Sequence, residues 1–246
     1  MISYSTKYRS TQDEILDKLD LQDAELAVML NDLKTVNSIL GGQQVTLGGI
    51  LKLLEGHPKE TPVTILDIGC GDGEILRNIA RFGVKHQYNF TLIGVDGNEH
   101  IIKIAETKSE AYTNISFKVK NIFSEGPIVP EYDIALCTLF LHHFKNEAIV
   151  SILKKISAEA KVGVVVNDLH RSRFAFWLFK AFSSIFIKSK IARHDGLVSV
   201  ARGFKQEELN GLAARIPETS STIRWKWAFR WQWVLKKTNK GLVRVK

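Results

Sequence analysis

Apolar and polar positions change their period once along this chain, near residue 61. Before that point the spacing is helical. Thr11 and Glu14 stand at capping-box distance ahead of Ile15, Leu16 and Leu19. Leu26, Leu30, Leu33, Val36 and Leu40 then share one helical face, and Gly41-Gly42 ends the run. A further short helix is expected around Ile50 to Leu54. Such stripes cannot bury themselves, so residues 1–60 read as a helical N-terminal cap that docks on the rest of the chain.

From residue 61 to 246 the pattern is that of one larger domain. Short β-branched runs at Val63–Leu66, Phe90–Val95, Ile115–Val119, Tyr132–Cys137 and Val162–Val166 alternate with amphipathic stretches near 74–83, 98–108 and 145–158. Continuous apolar strands separated by helices predict an α/β fold whose parallel sheet is covered on both faces. A ligand then belongs at the carboxyl ends of the strands. The alternation breaks at an insertion over 169–204. A helix near 205–215 and two strands, about 221–227 and 230–237, complete the chain.

Composition narrows the class only a little. The 246 residues are 45% hydrophobic and 24% charged, which excludes disordered and fibrous proteins. The net charge of +8 permits nucleic acid or an anionic membrane as partner without requiring either. Cys70 and Cys137 have no metal-ligand spacing, so no metal and no disulfide scaffold is expected. Reduced thiols, a start without the apolar core of a signal peptide, and no run near the ~20 residues of a membrane span suit a cytoplasmic protein.

The most informative segment is the first strand and its exit: Thr64-Ile-Leu-Asp67-Ile-Gly69-Cys70-Gly71-Asp72-Gly73. Glycines permit positive φ and close approach of backbone N–H groups to a ligand. A dinucleotide fingerprint would space them G-x-G-x-x-G. Here the third comes one residue early, and an acid ends the strand, which suits a ligand without phosphates. The second strand ends in Asp96-Gly97, and Asp96 follows Gly73 by 23 residues, the offset of a ribose-binding acid.

This constellation resembles motif I and its companions in the class I S-adenosylmethionine-dependent methyltransferases. The resemblance implies a Rossmann-like, mostly parallel seven-stranded sheet with an antiparallel terminal hairpin, a helical N-terminal cap and a helical lid insertion. It implies S-adenosylmethionine as cofactor, with Asp67, Gly69, Cys70, Gly71 and Gly73 at its amino-acid end and Asp96 and Gly97 at its ribose. Asn121 stands where many members carry an acid near the adenine, and Ile122 would cover the ring. Cys137 and Thr138 would lie beside the methionine portion. The run Cys137-Thr-Leu-Phe-Leu-His142-His143 is similar to motif IV of small-molecule methyltransferases, and it lacks the Asn/Asp-Pro-Pro-aromatic signature of enzymes that methylate base or amide nitrogens. Three features are similar to the quinone-biosynthesis and polyketide-phenol branch. They are Arg9 with Glu14-Ile-Leu-Asp17, Asn167-Asp168-Leu-His170-Arg171, and His194-Asp195-Gly196-Leu-Val-Ser199.

The expected reaction is O-methylation of a small lipophilic aromatic hydroxyl. The alternatives are C-methylation of such a ring, an RNA or protein methyltransferase, and a cofactor-binding module without transfer. A phenol with a pKa near ~10 profits from a base titrating near neutrality, and histidine is the natural choice. His142, His143 and His170 fall at strand exits. His170 is the first choice for the base and His143 the second, with Asp168 or Arg171 orienting the acceptor or holding the lid.

Two segments remain. Residues 173–188 form a helix apolar nearly all round, with Arg173, Lys180, Ser184 and Lys188 as a narrow polar stripe. Such a helix is buried or faces a greasy ligand or a membrane surface. Packing between the core and the N-terminal helices is the expectation, compatible with a lid role, and peripheral membrane contact is the alternative. In the last hairpin Trp225, Trp227, Trp231 and Trp233 alternate with Arg224, Lys226, Arg230 and Gln232. Period two packs the tryptophans on the sheet and leaves the cations solvated, so nucleic acid is not expected as a partner.

Overall fold

Parallel strands buried on both faces carry this fold. The computed structural model describes residues 2, 4–15, 32, 35–37 and 39–238. Its strands are β1 Val63–Ile68, β2 Phe90–Asp96, β3 Ile115–Val119, β4 Ile134–Thr138, β5 Gly163–Leu169, β6 Thr219–Lys226 and β7 Arg230–Lys237. They hydrogen-bond in the order β3-β2-β1-β4-β5-β7-β6. The first five are parallel, and β7 runs antiparallel to both β5 and β6. The order reverses between β1 and β4, which opens a crevice at their carboxyl ends.

Strand alternation divides the core in two. Leu66, Ile68, Ala135, Cys137, Val164, Val166 and Trp233 pack on one face. Val63, Ile65, Ile134, Leu136, Val165 and Val234 pack on the other. The helices are α1 Gly42–Leu53, α2 Glu74–His86, α3 Glu99–Ser109, α4 Asn146–Glu159, α5 Arg173–Phe186, α6 Lys190–Arg202 and α7 Gln206–Ala213. Asn98 caps α3 by accepting from the N–H groups of His100 and Ile101, and Ser172 and Ser189 cap α5 and α6.

The N-terminal region departs from its pattern. Residues 11–15 are not helical, and the Thr11/Glu14 capping box does not form there. Glu14 is buried against the sheet edge, where its carboxylate accepts from Ser199 Oγ at 2.7 Å. The positions Leu16, Leu19, Leu26, Leu30 and Leu33 lie outside the described residues. Residues 35–37 and 39 are helical, and the chain turns at Gly41, φ 66°, as the glycine pair predicts. The helix placed near Ile50 is longer than expected, because α1 starts directly after that turn.

Two further expectations change. α5 is not enclosed: Ala175, Phe176 and Ser183 are buried, but Phe174, Trp177, Leu178, Ile185 and Phe186 face solvent. In the hairpin, Trp231 and Trp233 are buried while Trp225 and Trp227 are exposed. Arg230, read as a solvated cation, is buried, and so is Gln232. The reason is position. β7 is an inner strand covered on both faces, whereas β6 is an edge. Arg230 is accommodated by donating to Asn37 Oδ1 at 2.7 Å.

Candidate active site

The chain from β1 into α2 is a run of left-handed glycines. Gly69, Gly71 and Gly73 have φ of 68°, 53° and 76°. A Cβ on Gly69 would meet the Phe140 ring at 2.4 Å, whereas one on Gly71 would meet no protein atom within 4 Å. The first glycine is therefore required by packing, and the second opens the loop toward a ligand. Gly69→Ala combines a clash with a strained φ and is expected to cost about 1–3 kcal/mol. Thermal melting of the variant checks this, and an unchanged midpoint would contradict the loop geometry.

A cavity of about 680 Å³ opens at this edge, within the usual range of small-molecule sites. Of the predicted cofactor residues, Asp67, Gly69, Cys70, Gly71, Asp96, Gly97, Asn121 and Ile122 line it. Gly73 lies just behind, as the N-cap of α2 against the Phe117 ring. Cys137 does not line the cavity. It is fully buried in the core, and Thr138, one residue later, faces the cavity instead, with its Oγ1 3.1 Å from Thr46 Oγ1. Successive side chains on a strand point to opposite faces, so an offset of one residue decides which of them is reached.

The two acids differ in their partners. Asp67 is buried, and its Oδ1 has no hydrogen-bond partner among the described residues. Burial, with the Asp96 charge adding to it, pushes its pKa up to about 8. Asp96 is tied down: Oδ1 accepts from Asn98 N–H at 3.0 Å and Oδ2 from Gly71 N–H at 3.3 Å. It thereby couples the end of β2 to the glycine loop. Burial also raises its pKa. Asn121 Oδ1 accepts from the Phe123 N–H at 2.9 Å, so part of its capacity goes to its own turn. Leu139, a non-glycine residue at φ 53°, carries β4 past the cavity toward the short 3₁₀ turn at Leu141–His143.

The histidines separate clearly. His143 lines the cavity. His170 does not: its Nδ1 accepts from Trp225 Nε1 at 3.2 Å, and its backbone bridges to Phe204. The first choice for a base is thus set apart from the cavity. Arg171 is likewise spent elsewhere, in a bidentate pair with Glu208. His194 pairs with Asp195 Oδ1 at 3.0 Å, and that same oxygen accepts from the Ile15 N–H, so the pair holds the N-terminal segment.

His142 occupies a more constrained place. Its Nδ1–H donates to Asp168 Oδ1 at 2.7 Å, and its Nε2 lies 3.4 Å from Glu14 Oε1. Burial alone would lower its pKa, but Asp168 and then Glu14 outweigh that and raise it to about 9. Burial would likewise raise Glu14, yet the bond to His142 and the charges of His143 and His142 bring it down to about 2. The triad is an ion pair flanked by a second carboxylate. Glu14, His142 and His143 also bring ligand-capable atoms within 4.8 Å of one another.

Two arginines hold the N-terminal segment over this triad. Arg9 donates to the carbonyls of Arg202, His142 and Phe144, and Arg202 donates to those of His142, His143 and Gln12. Glu14, Ser199, Phe140 and Phe144 complete the cavity wall and were not among the predicted site residues. Nothing in local spacing marks Glu14, whose neighbours read equally well as a helix start.

Comparison with known proteins agrees with this geometry. Residues 65–163 match the family model of the methyltransferase domain. Over 142 residues, 58% of this chain, it is 27% identical to a carboxy-S-adenosyl-L-methionine synthase of Sulfurimonas denitrificans. Over 84 residues, 34% of the chain, it is 40% identical to a protein named as methyltransferase 235L of Invertebrate iridescent virus 6. The chain spans 53% and 29% of the length of these two curated relatives. Among solved structures, the plantazolicin methyltransferase BpumL with S-adenosylhomocysteine aligns at a TM-score of 0.64 and 15% identity, over 87% of this chain and 95% of that one. Magnesium protoporphyrin IX methyltransferase from Synechocystis PCC 6803 aligns at 0.54 and 15%, over 81% and 84%. The fold is thus the Rossmann-like sheet of the class I methyltransferases.

Proposed function

We propose that this protein transfers a methyl group from S-adenosylmethionine to a hydroxyl of a small lipophilic, aromatic acceptor. One observation carries the cofactor: the buried, unpartnered Asp67 oxygen, the open Gly71 and the anchored Asp96 face a single cavity. Asp67 suits an ammonium group, Asp96 a ribose diol, and Ile122 with Phe123 a flat ring. When bound, the cofactor supplies a methyl on a positively charged sulfur, open to in-line displacement. Phe140, Phe144 and Leu139 supply an apolar wall for the acceptor. His143 lines this cavity and is the residue we assign to take the acceptor's proton, with Asp168 holding its neighbour His142.

Titration calorimetry with S-adenosylhomocysteine and transfer of labelled methyl to a panel of phenols and quinols test this reading. Binding of NADH in its place, or cofactor binding with no turnover on any phenol or quinol, would overturn it. His143→Ala should lower kcat more than KM.

Asp67 adds a pH signature. In the free protein its carboxyl is largely protonated at pH 7, with a pKa of about 8. An ammonium ligand favours the ionised form, so binding at pH 7 releases protons. Affinity should rise from pH 6 to about 8 and level off above. Calorimetry in two buffers of different ionisation enthalpy reads the proton count directly. Proton uptake would exclude Asp67 as the partner.

A further inference from the structure

α5 turns the wrong side outward for a soluble helix. Its inner face carries Ala175, Phe176 and Ser183, with Phe179 and Phe182 partly buried. Its outer face carries Phe174, Trp177, Leu178 and Ile185, of which Phe174, Trp177 and Ile185 are 63%, 58% and 74% exposed. The patch continues onto the hairpin tip. Phe174 meets the Phe229 ring edge-on at 5.8 Å, and Phe229 in turn meets Trp227 at 5.5 Å and Trp225 at 6.1 Å. Trp227 is 66% exposed. Two elements distant in sequence thus build one continuous aromatic surface, larger in extent than scattered exposed apolar residues.

The two segments that carry the patch have charge of one sign. From Arg171 to His194, and again from Thr219 to Lys237, the sequence has no Asp or Glu. Arg173, Lys180, Lys188 and Lys190 rim α5, and all four are exposed. The Lys180 ammonium sits 4.9 Å from the Trp177 ring. An outward apolar stripe, tryptophans at its margin and a flank of cations are the requirements of a helix lying in the headgroup layer of an anionic bilayer.

Position gives the surface a use. Arg230 pairs with Leu169, so the hairpin tip stands at the carboxyl edge of the sheet, where the cavity opens. Leu169 lines that cavity and also belongs to the cluster of Ala175, Phe176 and Phe229 beneath the patch. We propose that α5 and the β6–β7 tip dock this protein on anionic phospholipid membranes, facing the cavity edge toward the lipid.

Sedimentation with vesicles tests this without any methyl transfer, so it can fail while the proposed activity stands, and the reverse. The native chain should sediment with mixed phosphatidylcholine–phosphatidylglycerol vesicles and blue-shift its tryptophan emission. It should bind pure phosphatidylcholine weakly and be released by salt. Trp177→Glu and Trp227→Glu, both outside the cavity lining, should each lower partition about tenfold or more. Lys188→Ala should lower it roughly fivefold. All three should keep native melting and S-adenosylhomocysteine affinity. Absence of sedimentation, equal binding to both vesicle types, or variants that bind like the native chain would overturn the proposal. So would a native dimer that Trp177→Glu converts to monomer, since a second copy would then own the patch.

Discussion

Asp168→Ala should lower the stability of this protein by about 3–5 kcal/mol, the cost of stranding a buried ion without its partner. Asp168 is fully buried and holds His142 Nδ1 at 2.7 Å. It also accepts from the backbone N–H groups of His142 and Leu169, so three donors lose their acceptor at once. Asp168→Asn keeps a hydrogen-bonding group but not the charge, and should fall between native and alanine. The pH dependence has a defined sign. The pKa of His142 rises on folding to about 9, so its contribution is complete below pH ~6.5 and disappears as pH climbs through 9. Glu14 works from the other end. Its pKa falls to about 2, so its share is present above pH ~4.5 and is lost as pH drops through 2. Denaturant melts of native protein and Asp168→Ala at pH 7 and pH 10 measure the loss and the share of it that follows the His142 charge. The gap between them should narrow at pH 10, and a gap of constant size would show that the imidazolium is not what Asp168 stabilises.

Asp96→Ala carries the second large effect. It should weaken S-adenosylhomocysteine binding by about 100-fold or more, since two hydrogen bonds from a ribose to a carboxylate contribute about 3 kcal/mol or more together. The loss has two parts. The diol loses its acceptors, and the Gly71 N–H loses the oxygen that holds the loop open beneath the ligand. Asp96 is a partly exposed residue at a strand end, so the melting temperature should change little. A dissociation constant within threefold of native would place the ribose elsewhere and remove the basis of the cavity assignment.

Most of the sheet was legible from residue order alone. β1 to β5 fall within three residues of the runs that predicted them, because inner strands buried on both faces must be apolar along their length, while Ile115, Phe117 and Val119 alternate along the edge strand β3. The glycine loop was legible for the same reason of locality: Asp67 to Gly73 is one continuous strand-to-helix turn, and its φ values follow from residue type. Asp96 was found by its offset from that turn. Greasy α5 was seen as apolar, but whether its outer face was covered could not be read from its own residues.

Residue order alone was thus enough for the α/β fold and the rim of the cavity, since both depend on neighbours close along the chain. Only the tertiary structure decided the chemistry behind the rim. It chose Thr138 over Cys137 through the phase of one strand against the sheet, and it turned His170 toward Trp225 and away from the cavity. It also drew Glu14 out of an apparent helix cap to His142 and Asp168. Those three charges come from the N-terminal segment and from the exits of β4 and β5, and no spacing rule links residues so far apart. Electrostatic pairing acts through space and not along the chain, so the ion triad exists only once the sheet has brought its ends together.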